Sequence, residues 1–324
     1  MDFRLAALRG WLGARFPEHA FTLAPASADA SFRRYFRVAL ADGRSFIAMD
    51  APPDKEDSAP FVRVSRLLRA AGLNAPEVLA QDSRQGFLLL TDLGKTTYLE
   101  ALRPENAAEL FRDATDALLR WQLATRRGEL PPYDEALLLR EMSLFPDWYL
   151  ARHLQTAPSA AEKADLAQTF ALLARSALAQ PVVYVHRDYM PRNLMVCDPN
   201  PGVLDFQDAV EGPITYDMVC LVRDAFISWE EEQVLDWTVR YWEKARKARL
   251  PVEADFAEFW RAFEWMGLQR HLKVLGIFAR LTYRDGKPKY VADTPRFLGY
   301  ARAVARRYPA FAPLARFLDR IAAP

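Results

Sequence analysis

Residues 183–208 read V-Y-V-H-R-D-Y-M-P-R-N-L-M-V-C-D-P-N-P-G-V-L-D-F-Q-D. The stretch is bounded by short β-branched and apolar runs, 182–185 and 203–206, with a turn signal, Asp198-Pro-Asn-Pro-Gly202, between them. Such runs predict two strands joined through a polar loop. That arrangement brings Asp188, Asn193 and Asp205 to one end of a small sheet. Two carboxylates and an amide oxygen are what phosphoryl transfer asks for. One carboxylate takes the proton of the attacking hydroxyl; the amide oxygen and the second carboxylate hold the magnesium that neutralises the phosphates. A hairpin with polar residues at its turn is the competing reading of the same letters.

The 324 residues suffice for one large domain or two lobes with a sizeable core. Half of the chain is apolar, 26% is charged, and the net charge of +1 gives no global field for nucleic acid or a membrane surface. No apolar run approaches the ~18 residues of a membrane span. Cys197 and Cys220 have no metal-ligand spacing and are too few for a disulfide framework, so a reduced, cytoplasmic setting is expected. Residues 1–16 alternate Arg4, Arg9 and Arg15 with Phe3, Leu8, Trp11 and Leu12, which predicts a helix laid on the domain rather than a transit peptide.

Beyond that helix, 21–24, 35–40 and 45–49 read as strands, with Asp42-Gly43 marking a hairpin turn. The linker 25–34, rich in small residues, suits a loop folding over phosphates through backbone N–H groups and the hydroxyls of Ser27 and Ser31; Arg33, Arg34 and Arg37 add positive charge. A helix opens at Ser58-Ala-Pro-Phe, buries Phe61, Val64, Leu68 and Ala71, and ends at Gly72. Residues 76–80 and 87–90 read as strands. The remainder reads as mainly helical. Leu110, Ala114, Leu118 and Trp121 share one face of 105–125, and Leu166, Phe170, Leu173 and Ala177 one face of 160–179. Trp237, Trp242, Trp260 and Trp265 are expected in the core rather than as sugar-stacking platforms.

The order is thus a small β-rich part with one helix, then a larger helical part carrying D…N…D. H-R-D-x-x-x-x-N at 186–193, followed by Asp205-Phe206, resembles the catalytic and metal-binding segments of the protein-kinase-like fold. Over nearly the whole chain the sequence resembles the aminoglycoside phosphotransferase and choline kinase branch. Within it, A-S-F-R-R-Y-F-R at 30–37, F-I-A-M-D-A-P-P at 46–53, G-F-L-L-L-T-D-L-G at 86–94, V-L-D-F-Q-D-A-V-E-G-P-I-T-Y-D at 203–217 and W-M-G-L-Q-R-H-L-K-V-L-G-I-F-A-R at 265–280 resemble the bacterial anomeric sugar kinases of cell-wall recycling. The resemblance implies an α+β, two-lobed fold with an N-lobe over 1–93 and a mainly helical C-lobe over 94–324. It implies a monomer using ATP and Mg2+ to phosphorylate the anomeric hydroxyl of N-acetylmuramate or N-acetylglucosamine, with no nucleic-acid or membrane partner. By position, Asp188 would be the catalytic carboxylate, and Asn193 and Asp205 would hold magnesium. His186 would buttress the loop, Asp217 would brace it from the following helix, and backbone at Thr91–Leu93 would pair with adenine.

Two departures stand out. The phosphate loop has no glycine, and Met49 stands about where the strand should carry a phosphate-pairing lysine. Arg33, Arg34 or Lys55 is the expected substitute. Residues 214–324 hold 19 Lys plus Arg against 14 Asp plus Glu, a balance suited to a neutral or anionic acceptor rather than a polycation. Candidate acceptor-binding residues are Arg223, Asp224, Gln269, Arg270 and Lys273, with a surface ion pair and cations reaching for solvent as the plain alternatives. A kinase of another hydroxylated metabolite or an aminoglycoside, and a nucleotide-binding pseudokinase, are the rival functions.

Overall fold

The computed structural model describes residues 2–27 and 32–322. Its contacts divide the chain into two compact units, Met1–Ala114 with Arg192–Asp208, and Thr115–Pro191 with Ala209–Pro324.

In the first unit, helix α1 (Phe3–Gly13) precedes strands β1 (Phe21–Ser27), β2 (Arg34–Leu40) and β3 (Ser45–Asp50). Helix α2 (Ala59–Ala70) and strands β4 (Val78–Asp82) and β5 (Phe87–Thr91) follow. The strands form one antiparallel sheet ordered β1-β2-β3-β5-β4. Period-two alternation puts Val38, Leu40, Ala48, Phe87 and Leu89 on the face where α1 buries Leu8, Trp11 and Leu12. Asp2 caps α1 by accepting from Leu5 N–H at 3.0 Å. Asp50, fully buried at the end of β3, accepts from Arg4 Nε at 2.8 Å and Arg34 Nε at 3.0 Å, which ties α1 and β2 to that strand. Of the positions expected to be buried in α2, Phe61, Val64 and Leu68 are buried, whereas Ala71, the C-cap, is only half-buried. The short α3 (Tyr98–Ala101) leads into α4 (Pro104–Leu123).

In the second unit come α5 (Glu135–Leu144), a π-helix over Phe145–His153, α6 (Ala160–Leu178) and β6 (Val182–Val185). In the first unit, β7 (Leu194–Met195) pairs with β8 (Gly202–Val203). In the second, β9 (Val210–Pro213) pairs with β6, ahead of α7 (Tyr216–Val222), α8 (Glu231–Lys247), α9 (Phe256–Tyr283), α10 (Thr294–Arg307) and α11 (Ala312–Ala322). The sequence led us to expect 182–185 and 203–206 as the two strands of the decisive segment. They belong instead to two separate ladders, and the second ends at Val203. Asp205 has φ +60°, a left-handed conformation that an extended strand cannot carry.

Helix α9 runs for 28 residues and buries nearly every side chain from Met266 to Gly276, with α5, the π-helix, α6 and α10 packed around it. A Cβ on Gly276 would lie 2.3 Å from the Leu144 carbonyl carbon, so glycine lets the α9 backbone run against the end of α5. Of the four tryptophans expected in the core, only Trp237 is buried; Trp242, Trp260 and Trp265 are half-buried, packed on Phe256, Phe263 and Phe311.

Candidate active site

In the second unit, the turn after β6 holds His186, Arg187 and Asp188. Asp217, fully buried at the start of α7, accepts from His186 N–H at 2.7 Å and Arg187 N–H at 3.0 Å. Burial pushes its carboxyl up to about 7, against the pull of those two hydrogen bonds. Buried His186 accepts at Nδ1 from Asp188 N–H at 3.2 Å. The expected bracing roles thus coincide with hydrogen bonds that shape this turn. Arg187 has φ +76°, and its carbonyl accepts from the buried Cys220 thiol at 3.2 Å. Its guanidinium is ion-paired to Glu141 of α5. Burial opposes the charge of Arg187, and the Glu141 carboxylate, Tyr216, Tyr133 and Asp188 together outweigh it, so the guanidinium stays charged.

In the first unit, a cavity of about 230 Å3 is framed by Ile47 of β3, the chain leaving β5 from Thr91 to Lys95, and Asn193, Asp205 and Phe206. Asn193 Nδ2 donates to Asp205 Oδ2 at 3.4 Å, its carbonyl accepts from Leu204 N–H at 2.9 Å, and Asp205 Oδ1 accepts from Gln207 Nε2 at 2.9 Å. The Phe206 ring packs on Phe61 of α2 with centroids 4.7 Å apart. An amide and a carboxylate are hard oxygen donors; two protein ligands completed by phosphate and water oxygens suit magnesium. Among the described residues no cluster of three or more His, Cys, Asp or Glu offers an all-protein metal cage.

Thr91 and Leu93 line this cavity. Ser27 lies at the end of β1, next to the cavity-lining Ala26, and Ser31 lies outside the described residues. Arg33 is half-buried and is not among the lining residues. Met49, two residues beyond Ile47 on the same strand, is fully buried. Of the expected substitutes for its charge, Arg34 is engaged by Asp2 and Asp50, and Lys55 is exposed with Asp54 3.7 Å away. The cations that do line the cavity are Arg37, Lys95 and Arg192. Arg37 Nε donates to Asp92 at 2.6 Å; burial would raise that carboxyl, and Arg37 holds it below its ordinary value. Period two places Arg37 on the face of Tyr35, another lining residue, which was the available signal for it.

The acceptor candidates lie in the second unit and correct both plain alternatives. Gln269, Arg270 and Lys273 are buried rather than reaching into solvent. Lys273 Nζ sits 2.9 Å from Glu141 Oε1 and 3.0 Å from the Tyr216 hydroxyl, while Gln269 Nε2 donates weakly to Glu141 at 3.4 Å. Arg223 and Asp224 are no surface ion pair. Arg223 lies over the Tyr300 ring at 5.2 Å and accepts at its carbonyl from Arg270 at 3.2 Å. Asp224 is fully buried, and its Oδ2 has no hydrogen-bond partner among the described residues. Burial raises its carboxyl to about 6, with the Ala225 N–H and the Arg270 charge opposing. Glu141 went unread in the sequence. Its signal was an acid set on the buried stripe of α5 beside Leu138 and Met142.

Comparison with known proteins places these features in a family. The profile of the phosphotransferase enzyme family matches residues 22–259. A protein of Pseudomonas aeruginosa named N-acetylmuramate/N-acetylglucosamine kinase is 53% identical over 327 residues, covering 98% of this chain and 96% of that one. A choline/ethanolamine kinase family protein from Mesorhizobium loti shares the fold, with a TM-score of 0.65, 15% identity and coverage of 98% and 99%. So does amicoumacin kinase hAmiN in complex with AMP-PNP, Ca2+ and Ami, with a TM-score of 0.63, 15% identity and coverage of 97% and 100%.

Proposed function

The chain belongs to the phosphotransferase enzyme family, and we propose that it is an ATP- and magnesium-dependent kinase for the anomeric hydroxyl of N-acetylmuramate and N-acetylglucosamine. The observation that supports it most is the Asn193–Asp205 pair in the wall of a cavity also lined by the chain leaving β5. The name carried by the Pseudomonas aeruginosa relative supports the choice of acceptor. The net positive balance of residues 214–324 agrees with a neutral or acidic sugar.

In this reading, backbone N–H and C=O groups between Thr91 and Leu93 pair with the adenine edge, and Gly94 marks the hinge between the nucleotide part, 1–93, and the acceptor part, 94–324. Asn193 and Asp205 are the residues that would hold magnesium, which supplies charge neutralisation on the phosphates. Arg37, rather than Arg34 or Lys55, supplies the positive charge that Met49 cannot, because its guanidinium is in the cavity wall. Asp188 orients the anomeric hydroxyl. As the bond from sugar oxygen to γ-phosphorus forms and the bond to the ADP oxygen breaks, Asp188 takes the hydroxyl proton. Among Arg223, Asp224 and Arg270, the unpartnered Asp224 oxygen is suited to accept from a sugar hydroxyl. The enzyme works as a cytoplasmic monomer with nucleotide and sugar as its partners. Among the described residues no helix is long and apolar enough to cross a membrane.

Phosphorus NMR tests this directly, with ATP, magnesium and each sugar, beside kanamycin and choline. The expected result is a sugar phosphate signal split by the anomeric proton, and a fall in turnover of about 100- to 10,000-fold in Asp188→Asn. Turnover of kanamycin or choline alone would overturn the acceptor.

A further inference from the structure

Arg187, the residue immediately before Asp188, is held in a left-handed conformation with φ +76°. A long side chain stays there only when its surroundings over-determine it, and such residues gather at active sites. Several contacts hold Arg187, including the Tyr133 ring 5.7 Å from its guanidinium. Its N–H donates to Asp217 at 3.0 Å, its carbonyl accepts from the Cys220 thiol at 3.2 Å, and its guanidinium is clamped by Glu141. Glu141 is itself buried, at 6% exposure. Tyr133 donates its hydroxyl to Glu141 Oε2, and Lys273 lies 2.9 Å from Oε1. Burial would raise the Glu141 carboxyl, but Lys273 and then Arg187 bring it down to about 2, so it stays a carboxylate. The close approach of α9 at Gly276 supports this arrangement, because Lys273 and Gln269 reach Glu141 from α9.

We propose that Glu141 is a positioning residue of the phosphoryl-transfer reaction: by clamping the Arg187 guanidinium it fixes the turn that aims Asp188. The inference rests on the assignment of Asp188 made above. Holding α5 in place does not by itself explain the arrangement, since a well-packed apolar pair commonly replaces a buried ion pair without loss of stability. An apolar pair supplies no charge-assisted hydrogen bond from the guanidinium to Glu141 Oε1, and so nothing that fixes the residue next to the reacting carboxylate. A displacement of about 1 Å at a reacting group can lower turnover about a hundredfold.

The test is a double-mutant cycle of Glu141→Gln, Arg187→Gln and the pair together, with steady-state kinetics and melting temperature for each. Each single change is expected to lower kcat about 10- to 100-fold. KM for ATP and for the sugar should move less than about threefold, because the clamp acts on aim and not on binding. The double variant is expected to lose no more than the worse single one, because both remove the same clamp. Losses that multiply in the double variant, or a kcat within twofold of the parent in folded singles, would overturn the proposal. If the Glu141 variants do not fold, Arg187→Lys decides, since it keeps the charge beside Glu141 and loses the planar guanidinium that holds the turn. It should lower kcat with KM unchanged, and unchanged kcat sinks the idea. Asp188→Asn belongs in the same series. Retained activity there defeats the assignment of Asp188, whereas an inactive Asp188→Asn beside fully active clamp variants defeats this inference alone.

Discussion

Asp217 holds the His186–Arg187 turn as a fully buried carboxyl, and pH exposes what that placement costs. Its carboxyl titrates near 7 in the fold against 3.8 ordinarily, because burial disfavours the charge. Between these values the native protein holds a proton that the unfolded chain has released. The stability associated with the protonated form is therefore fully present below about 4 and lost as pH rises through about 7. Asp224, raised to about 6, acts in the same direction. Glu141, lowered to about 2 from 4.5, acts in the opposite direction: its contribution is present above about 4.5 and lost as pH falls from there through about 2. We therefore expect the melting temperature of Asp217→Asn, which cannot titrate there, to gain on the parent by a few degrees between about pH 5 and 8. Parallel curves would mean that native Asp217 is ionised throughout. At this scale Asp188, Asn193 and Asp205 were legible because a fixed local spacing carries them. Arg37 was read in the sequence only as added positive charge and Glu141 not at all, because their partners lie 55 and 46 residues away and only folding pairs them.

Among the elements, the helices with a clear 3.6-residue period, α4 and α6, were readable, and their expected apolar positions are buried. The π-helix after α5 left no sign, since its ladder of i to i+5 bonds has no apolar period of its own, and the split of the decisive segment into two ladders follows from one left-handed residue. The crossing of α9 over α5 makes a separate prediction. In a helix interior, alanine ordinarily exceeds glycine by about 1 kcal/mol. At Gly299, exposed in α10 with nothing within 4 Å of a Cβ, that gain should be realised, and Gly299→Ala should raise stability by about 0.5–1 kcal/mol. At Gly276 the Cβ would meet Leu144 backbone, which cannot swing aside, so the sign reverses and Gly276→Ala should cost about 1–3 kcal/mol. Paired denaturant titrations check both. A neutral Gly276→Ala would mean that the crossing yields.

For the molecule as a whole, composition offered no global field for nucleic acid or a membrane surface, and the order of sheet, connecting chain and helices followed from periodicity and turn signals. What remained hidden is the partition of contacts. Arg192–Asp208 packs with the sheet unit although helices precede and follow it in sequence. Val196 N–H bonds to the Thr96 carbonyl at 2.9 Å and Val203 N–H to the Asn74 carbonyl at 2.8 Å, pairings no local pattern announces. The two thiols fall on either side of this partition. Cys197 is half-buried beside Asn74, 3.3 Å from its amide, whereas Cys220 is wholly buried with its proton on the Arg187 carbonyl. Burial raises both thiols, Cys220 to about 12. A disulfide reagent should therefore modify Cys197 in the native protein and reach Cys220 only when the second unit opens. The slow phase of such a reaction is a clock for the turn that carries Asp188, readable without substrate, nucleotide or any label added to the chain.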